Sequence, residues 1–276
     1  MLKSHIAAVL SFAAIAAGAM SGSAFGQIIA QSGFNDNSGI NSNPAPNTPF
    51  TIGQTIHNRG EGETGWTTLW AVSAGGGTGG EDHALALAVA AREGDGGLQI
   101  DPTPGRGNTR ALRGFPSQSR SFSIDQDINF VAAGELYSRP GQGGGVPEPI
   151  GTGPQWRITG TAGDRHFEVA DGTGDQIDHW ENTGIAQLAG QWQHVTLNID
   201  VATQTWTFAV DGTPYKAPDP LGFTGQPASI GYLEYLTTSS GWIDSVVVAA
   251  PEPSGVIVAL GLVFAALTRS KRSCLR

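Results

Sequence analysis

The chain has 276 residues, with 24 acidic and 15 basic side chains and a formal net charge of −9. That balance argues against nucleic acid or anionic lipid as a partner, since both repel an acidic surface. The one cysteine is Cys274, so residues 27 to 250 hold no disulfide, and their length is ample for one hydrophobic core.

In chain order, residues 1 to 26 predict a secretory signal helix. Lys3 opens it, Ile6 to Ala19 is apolar, and Ala24-Phe25-Gly26 places small residues for cleavage before Gln27. From there apolar residues recur mostly with period 2. Strand material is expected at Ile28-Ile29, Trp66 to Val72, Ala84 to Ala90, Ser121 to Ile124, Ile128 to Val131, and Leu136-Tyr137. It continues at Gln155 to Thr161, His166 to Ala170, Val195 to Ile199, Trp206 to Val210, Ile230 to Leu236 and Trp242 to Val248. Asn35 to Gly39 reads as a turn and Asn41 to Pro49 as a loop. Arg139 to Pro154, rich in Gly and Pro, reads as a surface loop. Many short strands between turn residues predict an all-β sandwich over 27–249.

Within it, Trp192, the Val195-Leu197-Ile199 and Trp206-Phe208-Val210 faces, Asp211-Gly212 and Trp242-Ile243-Asp244-Ser245-Val246 stand out. Two strands meet at Asp200 to Thr203, and the second ends in an Asp-Gly turn. This arrangement resembles the laminin-G-like/concanavalin-like jelly roll. The resemblance implies that the last strand pairs back near the N-terminus. It also implies a candidate structural calcium between Asp36 and Asp244. That fold carries lectins, glycosidases and adhesion modules alike.

The C-terminal residues 250 to 276 form a distinct tail. Pro251-Glu252-Pro253 breaks the preceding strand. An uncharged run of 14 residues follows, Gly255 to Thr268, and Arg269, Lys271, Arg272 and Arg276 close the chain. As a helix the run is about 21 Å long, short against a hydrocarbon core of ~30 Å. The basic cluster would stay cytoplasmic. The three-part tail resembles the PEP-CTERM sorting domain of Gram-negative bacteria. The tripeptide alone carries little, since Pro147-Glu148-Pro149 also occurs without an apolar run behind it. The resemblance implies an exosortase-type partner, passage through the inner membrane, and delivery to the envelope or an exopolysaccharide matrix.

Other constellations are weighed against plainer readings. Gly75-x-Gly77-x-x-Gly80 matches a dinucleotide fingerprint, but no βαβ alternation surrounds it, so it reads as a glycine-rich connection. Six acids between Asp164 and Glu181 offer oxygens for calcium, but read first as a solvated acidic loop. Glu168-Val-Ala-Asp171 holds only part of a glycosidase carboxylate pattern, and no serine-hydrolase or zinc motif is present. The histidines are scattered, with surface or hydrogen-bonding roles expected. Arg110 and Arg113 are expected to form structural salt bridges. Trp206 and Trp192 are expected in the core, while Trp180, among polar residues, is the candidate for exposed glycan contact.

The expectation is therefore an exported, non-enzymatic envelope or matrix protein that associates with polysaccharide. The alternative is a glycan-active hydrolase or lyase. Between residues 27 and 250 there are 10 basic and 23 acidic side chains, a net charge near −13, compatible with divalent cations and neutral glycans.

Overall fold

The computed structural model describes residues 27–34, 53–59, 63–74, 83–87, 90–92, 94, 96–105, 107–131, 133–142, 153–161, 163–172 and 179–251. Ile28–Ala250 forms a compact unit, and Met1–Gln27 and Pro251–Arg276 fall outside it. The signal segment, Asp36, the glycine fingerprint and the tail from Glu252 onward lie outside the described residues. No helix among the described residues is long and apolar enough to cross a membrane.

The strands are β1 Gln27–Ser32, β2 Ala71–Ala74, β3 Ala84–Leu87, β4 Gly97–Ile100, β5 Thr109–Gln118, β6 Ser121–Phe130, β7 Leu136–Gly141 and β8 Trp156–Thr161. They continue as β9 Asp164–Ala170, β10 Trp180–Ala186, β11 Gln193–Asp200, β12 Thr205–Val210, β13 Thr213–Pro214, β14 Leu221–Gly222, β15 Ile230–Thr237 and β16 Gly241–Ala250. One sheet of nine strands runs β13-β12-β11-β6-β16-β4-β3, with β1 on β16 and β14 on β12. A second, of seven, runs β10-β9-β8-β7-β15-β5-β2. The registered pairs are antiparallel. The described residues are thus all-β, and the last strand among them pairs with the first.

Period-2 alternation sets the core between the sheets. Val195, Leu197 and Ile199 of β11 and Trp206, Phe208 and Val210 of β12 are buried. Phe208 meets Trp156 and Phe167 of the other sheet at ring-centroid distances of 6.0 and 5.9 Å. Each large apolar side chain so placed contributes roughly 1.5–3 kcal/mol. At the β11–β12 turn, Asp200 Oδ1 accepts from the amides of Ala202 and Thr203 at 3.0 and 3.3 Å. The β12–β13 turn needs positive φ at both central positions, and Asp211 and Gly212 supply 49° and 74°.

Several expected elements change. Trp66 to Val72 is not one strand: the ladder begins at Ala71. Before it, backbone and indole donors reach scattered carbonyls, Thr67 N to Gly114 O and Trp66 Nε1 to Gln31 O, both 2.9 Å, so no ladder forms. Arg139 to Pro154 is not loop at its start. Arg139, Pro140 and Gly141 continue β7 against β15. Pro140 is tolerated there because the β7–β8 pairing ends at Ser138, leaving that side without a ladder for its missing N–H to serve. Within the stretch expected as strand to Ala90, β3 covers Ala84–Leu87. Ser121 to Phe130 is one continuous strand. Trp206 is in the core, whereas Trp192 is only half-buried.

Candidate functional site

The seven-stranded sheet turns an apolar face to the core and a charged, aromatic one outward, where Tyr137 and Glu234 are themselves largely covered by their neighbours. Along β8, Trp156 and Ile158 are buried while Arg157 and Thr159 face out, and along β7 Leu136 and Ser138 alternate with Tyr137 and Arg139. Register then aligns the outward residues across strands. Leu236 of β15 pairs with Arg110 and Tyr137, Tyr137 with Arg157, and Arg157 with Glu168. One step along, Glu234 pairs with Arg139 and Leu112. Five neighbouring strands, together with the adjacent edge strand β10, therefore build one continuous strip.

Stacking holds the strip together. The Arg139 guanidinium lies 4.3 Å from the Tyr137 ring centroid, and that of Arg157 lies 4.4 Å from the Trp180 ring. Tyr137 and Trp180 meet edge to face at 5.7 Å. Such contacts fix rings and guanidiniums in place before any ligand arrives.

The charges alternate. Arg157 donates to Glu168 Oε2 from Nε at 2.7 Å and to the Tyr137 hydroxyl at 3.2 Å. That hydroxyl donates to Glu135 at 2.8 Å. His166 Nε2 lies 3.2 Å from the other oxygen of Glu168. Arg110 donates to Glu234 Oε2 at 2.5 Å, and Arg139 Nη1 stands 3.8 Å from Glu234 Oε1. Burial, then the bond to Glu135, pushes the Tyr137 hydroxyl above its usual range. Burial works against charge on Arg157, but its bonds to Glu168 and Tyr137 outweigh it and raise that guanidinium. Burial lowers Arg139, with Glu234 opposing. Fixed donors and acceptors beside aromatic rings suit a ligand rich in hydroxyls and C–H faces.

Of the sequence-expected site residues, Trp180 belongs to this strip. It is not a freely exposed ring, however: it is half-buried on β10 beneath Arg157. Asp244 lies on the nine-stranded sheet, fully buried. Its oxygens accept from the amides of Arg92 and Ser245, both at 2.7 Å. Arg92 also pairs with neighbouring Asp127. Among the described residues no group of three or more metal-ligating side chains is arranged around one point. Pro251 is exposed. Glu252, Pro253 and the basic residues Arg269, Lys271, Arg272 and Arg276 lie outside the described residues. Arg110 and Arg113 form ion pairs as expected, with Glu234 and Glu63.

Sequence reasoning passed over Tyr137, Arg139, Arg157, Glu168 and Glu234 as a group. Their signal was present: each occupies the polar half of a period-2 alternation, Leu-Tyr-Ser-Arg on β7 and Trp-Arg-Ile-Thr on β8. His194, expected in a surface or hydrogen-bonding role, is held on the other sheet by Asp125 and Asp127 at 3.4 and 2.8 Å.

Two antiparallel sheets packed face to face define a β-sandwich protein. No family model and no curated protein matches the chain. Among solved structures, a sialidase aligns with 66% of this chain at TM-score 0.47 and 14% identity, and the chain spans 17% of that sialidase's length. A carbohydrate-binding module, CBM66 from Bacillus subtilis, aligns with 73% of this chain and 100% of its own at TM-score 0.43 and 9% identity. An alginate lyase, Aly36B, aligns with 64% of this chain and 86% of its own at TM-score 0.41 and 15% identity. Likenesses of this size carry no argument about activity or ligand.

Proposed function

We propose that the chain is an exported envelope or matrix protein, sorted by an exosortase-type system, whose concanavalin-like sandwich binds polysaccharide without cleaving it. The observation that carries the binding half is the strip itself. Tyr137 and Trp180 stand edge to face, with Arg139 and Arg157 stacked on them and Glu168 and Glu234 alongside. Sugars present hydroxyls at their edges and C–H groups on their faces, and this surface offers a partner for each. The routing half rests on the signal-like N-terminus and the three-part tail read from sequence.

The test is binding of the purified protein to a panel of polysaccharides. Trp180→Ala and Arg157→Ala are each expected to weaken binding by about tenfold, ~1.4 kcal/mol. Asn198→Ala, exposed on the other sheet, should leave it unchanged. No binding to any polysaccharide sinks the reading. Glu168 and Glu234 share one face, and this keeps the hydrolase or lyase alternative in view. New chain ends released by the wild type, and lost in Glu168→Gln or Glu234→Gln, would establish that alternative.

A further inference from the structure

Resting on the glycan reading above, we infer that the strip takes an uncharged polysaccharide and discriminates against uronate- or sulfate-bearing ones. Each guanidinium on the strip already faces a carboxylate. Arg110 and Arg139 face Glu234, and Arg157 lies 2.6 Å from Glu168 and 3.5 Å from Glu135. Three positive charges meet three negative ones, so no cation is left over for the repeated charges of a polyanion, which would otherwise be the strong part of such binding. The surrounding field points the same way. Residues 27 to 250 carry a net charge near −13, and a field of that sign slows approach of an anionic chain.

A local feature adds chemical detail. Arg139 Nε and Nη1 and Glu234 Oε1 are buried and make no hydrogen bond among the described residues, although Nη1 and Oε1 stand only 3.8 Å apart. That separation is too long for a direct bond. Buried polar atoms without partners are rare, and here an unused donor faces an unused acceptor. A group that both donates and accepts satisfies the pair, which describes a bridging water that in turn bonds a ligand hydroxyl. A carboxylate only accepts. It would serve Arg139 and be set against Glu234.

The experiment compares binding of the full chain to two neutral polysaccharides, laminarin and galactomannan, and two acidic ones, polygalacturonate and alginate, at low and high salt. A neutral glycan is expected to bind with an affinity that changes less than about twofold with salt. Both acidic ones should bind at least about tenfold more weakly. Glu168→Gln, which removes the nearer of the two carboxylates facing Arg157, is expected to raise affinity for polygalacturonate. Tighter binding of an acidic glycan that fades with salt overturns the inference while leaving the glycan reading intact. So does a Glu168→Gln protein that still binds neutral glycan and gains nothing for the acidic one. Binding to none of the four removes both.

Discussion

At His194 two aspartates hold one imidazole: Nδ1 lies 2.8 Å from Asp127 and Nε2 3.4 Å from Asp125. Thr196 and Ser123 also donate to Asp125, Arg92 pairs with Asp127, and the His194 amide donates to Asp211. The bonds to Asp125 and Asp127 raise His194 from 6.5 to about 9, against partial burial. The folded-state value lies above the unfolded one. Its stabilisation is therefore fully present below about pH 6.5 and is lost as pH rises through about 9. Asp125 is lowered: burial opposes this, but bonds from His194 and Thr196 outweigh it, so its contribution is lost on acidification. The urea midpoint of the wild type should fall between neutral and alkaline pH more steeply than that of His194→Gln. Equal slopes would refute the clamp. Nothing in the local sequence pairs His194 with residues some 70 positions earlier, because the contact exists only through the β11–β6 register.

Between elements, the segment before β2 is fastened to β5 by a buried ion pair. Arg113 points into the core, with its guanidinium 4.6 Å from the Trp66 ring and 5.7 Å from Trp70. It pairs with Glu63, which also accepts from Ser32 at 2.6 Å on β1. Burial pushes the Glu63 carboxyl up and the Arg113 guanidinium down, each opposed by the other's charge. Glu63→Gln takes the Glu63 charge away from a buried guanidinium. The expected loss is about 3–5 kcal/mol, read as a drop in the urea midpoint. The double change Glu63→Gln with Arg113→Met should recover part of it. Arg113 was recognisable in the sequence as a salt-bridge residue, but its partner 50 positions away was not. The strands divide along the same line. β11 and β12 announce themselves by alternation, whereas β13 and β14, two residues each, exist only because β12 offers them an edge.

For the whole molecule, the sandwich was legible because its signal is local: alternation, turn residues and the absence of helical period. The strip was not, because its residues come from six strands spread between Arg110 and Glu234 and meet only through register. The routing proposal is a statement about the complete chain, and mass spectrometry of the protein recovered from a producing bacterium tests it. The expected first residue is Gln27, with the basic terminus removed. A surface protein that keeps Arg276 would contradict tail processing. The position of β16 has one more consequence. It is an interior strand, with β6 on one side and β4 and β1 on the other, and the unit's chain leaves from its end at Ala250. If the C-terminal side is held and the strip is pulled by its ligand, tension along β16 loads those ladders in shear. Their hydrogen bonds then resist together instead of unzipping singly, and the sandwich serves as a mechanical link as well as a binding surface.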